Sequence, residues 1–222
     1  MSEQRGAQTE QGGTVWLVDD DAAVRRSITF TLEQADLAVR GFESPLKFLD
    51  AYEPVDGECL LLDLQMPGAT GIEVAQRLRA AGHQVPIIMI TAHGDVPTAV
   101  QAMRLGAVDF IQKPLHREPL LTRVREAVAR SRQRAAHSSE QHETRRRLRS
   151  LSPRERELLD YIVAGRSNKQ VAAELFLAEK TVANHRLSLM RKMQAGNAAD
   201  LVRMVLEARD PDEDDTAEPA KP

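Results

Sequence analysis

The sequence predicts two units: an α/β domain on a doubly wound, five-stranded parallel sheet, then a basic linker and a small all-α unit of four helices. Five short apolar runs alternate with segments of helical spacing through the first 130 residues, as happens when helices cover both faces of a parallel sheet. From residue 151 only helical periodicity remains. Charge is segregated in the same way: residues 14–129 hold 11 basic and 16 acidic side chains (net −5), 130–150 hold 7 and 2 (net +5), 151–206 hold 9 and 6 (net +3) and 207–222 hold 2 and 7 (net −5). An acidic front, a basic back and an acidic tail imply two units with different partners.

In chain order, residues 1–13 are polar and expected to be disordered. The first domain occupies 14–130. Its strands are expected at 15–18, 37–39, 59–62, 86–90 and 108–111, each a short apolar run followed by turn chemistry. Between them, Val24, Ile28 and Leu32 recur every four positions, and Ile72, Val74, Ala75 and Leu78 line another helix face. Ser44-Pro45 reads as a helix N-cap with proline at the first helical position, and Thr70-Gly-Ile-Glu73 as a capping box. The last helix of the domain is amphipathic on Leu120, Leu121, Val124 and Val128 and then loses its apolar face. Residues 131–149, with Arg132, Arg134, Arg145, Arg146 and Arg147, are expected as a basic linker, either solvated or partly helical.

The second unit is expected over 150–207. Ser152-Pro-Arg-Glu155 and Ser167-Asn-Lys-Gln170 are two further capping boxes, and Gly165 ends the first of these helices. A third helix begins near Glu179 with Val182, Leu189 and Met193 inward, and Asn197 caps a fourth. The acidic end, 208–222, is expected to be disordered.

Hydrophobic residues make up 42% of the 222 and charged residues 28%, enough for a core and unlike a wholly disordered chain. The longest apolar run, 85–90, is six residues, far below the ~20 that span a bilayer. The polar start lacks the apolar stretch of a secretory signal, so a cytoplasmic protein with no membrane partner is expected. Cys59 is the only cysteine, which rules out an intrachain disulfide and Cys₄ or Cys₂His₂ zinc sites.

Ligands of a doubly wound sheet bind outside the carboxyl ends of its strands. There the sequence puts Asp19 and Asp20 (first strand), Asp63 (third), Thr91 (fourth) and Lys113 (fifth). Aspartate at any one strand end is ordinary turn chemistry. Three together repel one another unless a cation neutralises them, and hard oxygen ligands favour Mg²⁺. Such a pocket could hold the metal beside a carboxylate and leave room for a phosphoryl group.

Val18-Asp-Asp-Asp21, Leu62-Asp-Leu-Gln-Met-Pro-Gly68, Ile90-Thr-Ala92 and Lys113-Pro114 resemble the flavodoxin-like receiver domain of two-component response regulators. His93-Gly-Asp-Val-Pro97, Ala102-Met103 and Gly106-Ala-Val-Asp-Phe-Ile-Gln-Lys-Pro114 are similar to the FixJ branch, with Leu115 where Phe commonly follows Lys-Pro. The resemblance implies that Asp63 takes phosphate from a sensor histidine kinase. It implies that Asp20, Asp63 and the Gln65 backbone carbonyl ligate Mg²⁺, with Asp19 holding it through water. Lys113 and Thr91 would contact the phosphoryl group, Thr91 and Phe110 would switch, and residues 96–111 would form a homodimer on phosphorylation.

In the second unit, Leu151-Ser-Pro-Arg-Glu-Arg-Glu157, Gly165-Arg-Ser-Asn-Lys169, Ala172-Ala-Glu-Leu175 and Glu179-Lys-Thr-Val182 with His185 resemble the LuxR/NarL/FixJ helix-turn-helix domain. A basic helical bundle alone would leave DNA binding open. The resemblance implies that the third helix enters the major groove of double-stranded promoter DNA, offering Lys180, Ala183, Asn184, Leu187 and Arg191. Asn184 is the best base reader, since an amide can pair with an adenine edge, and Leu187 could meet a thymine methyl. Lys169, Lys180, Arg186, Arg191 and Lys192 are assigned to phosphates, and Thr181 joins the DNA-binding set. His185 could pack or touch DNA.

The expected protein is thus a phosphorylation-controlled transcription factor, with RNA polymerase as a further partner and no enzymatic turnover of its own. Two rivals remain at this stage. One is an interaction protein or phosphate sink with a non-functional helix-turn-helix. The other is a Mg²⁺-dependent phosphatase, for which Gln65 stands where a second, acid aspartate would be needed.

Overall fold

The computed structural model describes residues 12–92 and 96–208, with backbone alone at 96–99. The expected disordered termini, apart from residues 12, 13 and 208, and the His93-Gly-Asp95 part of the motif lie outside the described residues. The chain forms two compact units, residues 1–135 and 136–222.

In the first unit, β1 (Thr14–Val18), β2 (Ala38–Phe42), β3 (Glu58–Asp63), β4 (Ile87–Thr91) and β5 (Ala107–Gln112) form one parallel sheet in the order β2-β1-β3-β4-β5. Between them run α1 (Ala22–Glu33), α2 (Pro45–Ala51), α3 (Gly71–Ala80) and α4 (Val96–Arg104), and α5 (Arg117–Arg149) follows. Strand alternation divides the core. Val15, Leu17, Cys59, Leu61, Ile88 and Ile90 face Ile28, Leu32, Leu121, Val124 and Val128 of α1 and α5. Trp16, Val18, Leu60, Leu62, Ile87 and Met89 face Phe48, Val74, Leu78 and Ala102 of α2, α3 and α4. Both faces are covered, so the central strands read as unbroken apolar runs. The edge strand β2 differs from its expected span of 37–39. It is mostly exposed, so no apolar run marks it. Leu37 is buried from the preceding turn, where Asp36 takes φ 61° and the Leu37 N–H donates to the Leu32 carbonyl at 3.2 Å.

At the amino end of β3 the buried Glu58 carboxyl accepts from Trp16 Nε1 and the Tyr52 hydroxyl, each at 2.7 Å. Burial, then this neighbour, pushes the Tyr52 hydroxyl pKa well up. The Glu58 N–H donates to Ser131 Oγ of α5 at 3.1 Å. Helix α5 runs without a break through 131–149, where neither glycine nor proline interrupts it. Within the first unit, Arg134 Nη1 donates to the Gln84 carbonyl at 2.7 Å. Within the second, Arg145 Nε donates to the Ala208 carbonyl at 2.8 Å and Arg147 Nη2 to Gln194 Oε1 at 2.7 Å.

The second unit contains α6 (Pro153–Val163), α7 (Asn168–Glu174), α8 (Glu179–Met193) and α9 (Ala198–Ala208) around Leu158, Leu159, Ile162, Val171, Val182, Leu189, Leu201 and Val205. Capping boxes open α6 at Ser152 and α7 at Ser167. The α7–α8 turn sets Phe176 at φ 55° and leaves its ring 95% exposed. Glu155 both completes its capping box and pairs with Lys192 Nζ at 2.7 Å, clamping α6 to the end of α8. The Lys192 bond leads the interactions that hold the Glu155 carboxyl down at about 2.

A carboxyl depressed in the folded state stabilises it above the ordinary value of 4.5 and loses that contribution as pH falls through about 2. Circular dichroism during acid titration is therefore expected to show wild type more stable than Glu155→Gln above that ordinary value, with the two converging at the acid end. Equal stability of the two proteins at neutral pH would show the clamp to be idle.

Candidate functional site

Strand order reverses direction at β1 and β3, and their carboxyl ends open the crevice in which ligands of such sheets bind. Asp19, Asp20 and Asp63 meet there, each offering a carboxylate oxygen within 4.8 Å of the others. Asp19 and Asp63 are buried and Asp20 is exposed. Lys113 Nζ bridges the buried pair, 2.8 Å from Asp19 Oδ2 and 2.8 Å from Asp63 Oδ2. Burial alone would lower the ammonium pKa; the bonds to Asp19 and Asp63 outweigh it and hold the pKa above the ordinary lysine value.

The Lys113 N–H donates to the Thr91 carbonyl at 2.7 Å, so the chain after β5 is pinned to the end of β4. Thr91 is buried and follows Ile90, the register partner of Asp63. The Gln65 N–H lies 3.4 Å from Asp63 Oδ1. All the sequence-predicted pocket residues thus come from strand ends on one rim. Their donors are hard oxygens, and three carboxyl groups face one ammonium, a set that fits a small divalent cation such as Mg²⁺. Phe110 is half-buried against the α2–α3 side of the core, with its N–H bonded to Asp109 Oδ1 at 2.7 Å. Asp109 in turn pairs with Arg123 of α5.

Two supporting residues escaped sequence reasoning. Asp21 is not part of the cluster: its Oδ1 accepts from the Ala23 and Val24 N–H groups at 2.7 and 3.2 Å and caps α1, which holds its pKa down. Gly71 opens α3 directly against the site, where a Cβ would stand 2.5 Å from the Asp63 carbonyl oxygen. Its sequence signal is the glycine after the Thr70 cap, a position any good helix former could otherwise fill.

In the second unit, α8 buries Val182, Leu189 and Met193 and exposes Lys180, Ala183, Asn184, Leu187 and Arg191. Lys169 and Lys192 are also exposed, while Thr181 and Arg186 are half-buried. Leu187 is 57% exposed. Arg186 turns back into the unit, its Nη1 2.8 Å from Asn168 Oδ1 and 3.1 Å from the Arg166 carbonyl. His185 is exposed and borders an apolar hollow of about 180 Å³ lined by Leu158, Leu175, Leu177 and Val182. Among the described residues, no helix is long and apolar enough to cross a membrane.

Comparison with known proteins agrees with both units. Residues 15–125 match the response regulator receiver domain family, and residues 149–205 match the bacterial regulatory proteins of the luxR family. The chain is 41% identical over 192 residues to the transcriptional regulatory protein FixJ of Azorhizobium caulinodans, covering 86% of this chain and 91% of that one. It is 39% identical over 196 residues to FixJ of Bradyrhizobium diazoefficiens, covering 88% and 96%. Among solved structures, the response regulator StyR superposes with a TM-score of 0.76 at 37% identity, over 88% of this chain and 99% of that one. Full-length FixJ from B. japonicum superposes with a TM-score of 0.56 at 39% identity, over 88% and 97%. The chain therefore belongs to the FixJ-type response regulators, DNA-binding regulators of transcription that join a receiver domain to a LuxR-family helix-turn-helix domain.

Proposed function

We propose that Asp63 is the phosphoacceptor of this regulator and that its phosphorylation pairs two receivers, which sets two helix-turn-helix domains on one promoter site. The observation that carries the reading is the Lys113 bridge between Asp19 and Asp63, since it places a fixed cation where negative charge must be borne. In the transfer, an Asp63 carboxylate oxygen attacks the phosphorus of a phosphohistidine, a P–O bond forms, the P–N bond breaks and the imidazole departs. Asp20 and Asp63, with the Gln65 carbonyl, would hold Mg²⁺ and Asp19 would support it through water. Bound there, the metal neutralises charge on the phosphoryl oxygens. Lys113 exchanges its Asp63 contact for the phosphoryl group, and Thr91 supplies a hydroxyl from the end of β4. Phe110 would follow Thr91 and alter the face of α4 and β5, residues 96–111, where Val100 and Met103 are exposed large apolar side chains suited to a homodimer. RNA polymerase is the expected recipient of the output, and the domain pair suits a cytoplasmic protein.

The test is molar mass by light scattering with Mg²⁺ and a beryllium fluoride phosphoryl mimic. A shift from monomer to dimer is expected; an unchanged monomer would remove dimerisation as the output.

The donor kinase must bring its phosphohistidine to the same rim. Beside Lys113 a groove of about 350 Å³ opens between Val24, Ser27 and Thr31 of α1 and Pro114, Leu115 and Leu120. Its apolar floor suits a helical surface of the kinase. Ser27→Arg is expected to slow transfer from the partner kinase by about tenfold, equivalent to ~1.4 kcal/mol of lost contact. Phosphorylation by acetyl phosphate, too small to use the groove, should be unchanged. Equal slowing with both donors would place the defect in the pocket instead.

A further inference from the structure

We propose that the acidic end of this chain, residues 209–222, binds the cationic face of α7 and α8 in the same molecule and so competes with DNA phosphates for it. Lys169, Lys180 and Arg191 are exposed and make no ion pair with a described residue, whereas Arg186 and Lys192 are tied to Asn168 and Glu155. After the last described residue the sequence runs Asp210-Pro-Asp-Glu-Asp-Asp215, and 209–222 hold six acidic side chains against Arg209 and Lys221, net −4. Helix α9 ends at Ala208, whose carbonyl is held by Arg145, so the segment starts from a fixed point on the same unit.

Reach and charge both suit this pairing. Fourteen residues extend up to about 45 Å, whereas a unit of this size has a radius of gyration of only about 11 Å. Asp212-Glu-Asp-Asp215 is a run of four adjacent carboxylates, a concentrated negative charge that, like DNA phosphates, attracts exposed lysine and arginine. Tethering supplies an effective concentration on the order of millimolar, so weak ion pairs suffice. Of the arginines near the end of α5, which lie nearer the anchor, Arg145 is occupied by Ala208, Arg146 by Glu143, and Arg147 by Glu143 and Gln194. Only Arg149 there is exposed without an ion pair to a described residue, against three such cations on α7 and α8. The α8 face is therefore the favoured partner. The contact would lower binding to any duplex at low salt and restrict occupancy to sites reinforced by two half-site contacts.

The test compares the full chain, a chain ending at Ala208, and a full chain carrying Asp210→Asn, Asp212→Asn, Glu213→Gln, Asp214→Asn and Asp215→Asn. Each is titrated with a random-sequence duplex by fluorescence anisotropy. At low salt both altered proteins are expected to bind about 3–10-fold tighter than the full chain, with the gap closing as salt rises and ion pairs are screened. Equal affinities at low salt would overturn the proposal, as would a gain that persists undiminished at high salt. Combining Lys180→Ala and Arg191→Ala with truncation locates the contact: the gain from truncation should shrink when these cations are gone. A gain of full size in that background would place the acidic segment elsewhere and overturn the proposal. The proposal rests on α8 reading DNA, and that assignment is tested separately. If Lys180→Ala with Arg191→Ala leaves the truncated chain's affinity unchanged, the DNA face itself is misassigned, whatever the tail does.

Discussion

Asp63→Asn is expected to take no phosphoryl group from acetyl phosphate or a kinase, and to stay monomeric with Mg²⁺ and beryllium fluoride. The amide keeps the shape of the carboxylate but is a far weaker nucleophile and a poor partner for a hard cation. The fold should survive, because Lys113 keeps Asp19 as a partner at 2.8 Å and the surrounding β3 residues remain buried. Intact-mass spectrometry checks the first part, light scattering the second, and thermal melting the integrity of the fold. A phosphorylated mass in the variant would move the acceptor to another group of the cluster, Asp20 being the exposed one. A variant that melts far below wild type would instead show that the carboxylate is needed to balance Lys113.

The second large effect is expected on the recognition helix. Asn184→Ala should weaken binding to a site selected from random DNA by about 1–3 kcal/mol, roughly 5–150-fold, if the amide makes a bidentate base contact. Binding to unselected DNA should change much less, because that affinity comes from phosphates. Asn184 is exposed on the face opposite the buried Val182, Leu189 and Met193, so its removal costs little stability. Equal loss on selected and unselected DNA would refute the base-reading assignment and place Asn184 among the phosphate contacts instead. Loss at a single base position of the selected site would also identify the base it reads.

Much of this protein is local in origin. Buried β3 and β4 are continuous apolar runs because both faces of their sheet are covered, and the capping residues Thr70, Ser152 and Ser167 mark where helices begin. The strand-end residues Asp19, Asp63, Thr91 and Lys113 could be assigned to one rim because a parallel sheet sends every strand out on the same side. The inward face of α8 was equally legible from its period. Where the sequence has no local signature, as at the exposed edge strand β2, the expected boundary was displaced.

Partner choice is different, because it depends on which distant segments converge. Lys113 meets Asp19 and Asp63 across 94 and 50 positions of sequence, and no spacing rule says that one ammonium will bridge both. Arg186 and Lys192 share a helix with Lys180 and Arg191 and look alike in sequence. Only the packing of α8 against the α6–α7 turn and the α6 amino end ties the first two to Asn168 and Glu155. The same holds for Gly71, whose missing side chain matters only because the Asp63 carbonyl stands 2.5 Å from where a Cβ would be. Periodicity and capping are short-range steric and hydrogen-bonding preferences, so the sequence alone determined the elements and the rim. Which charges neutralise one another is set by distances in three dimensions, and the tertiary structure decided that.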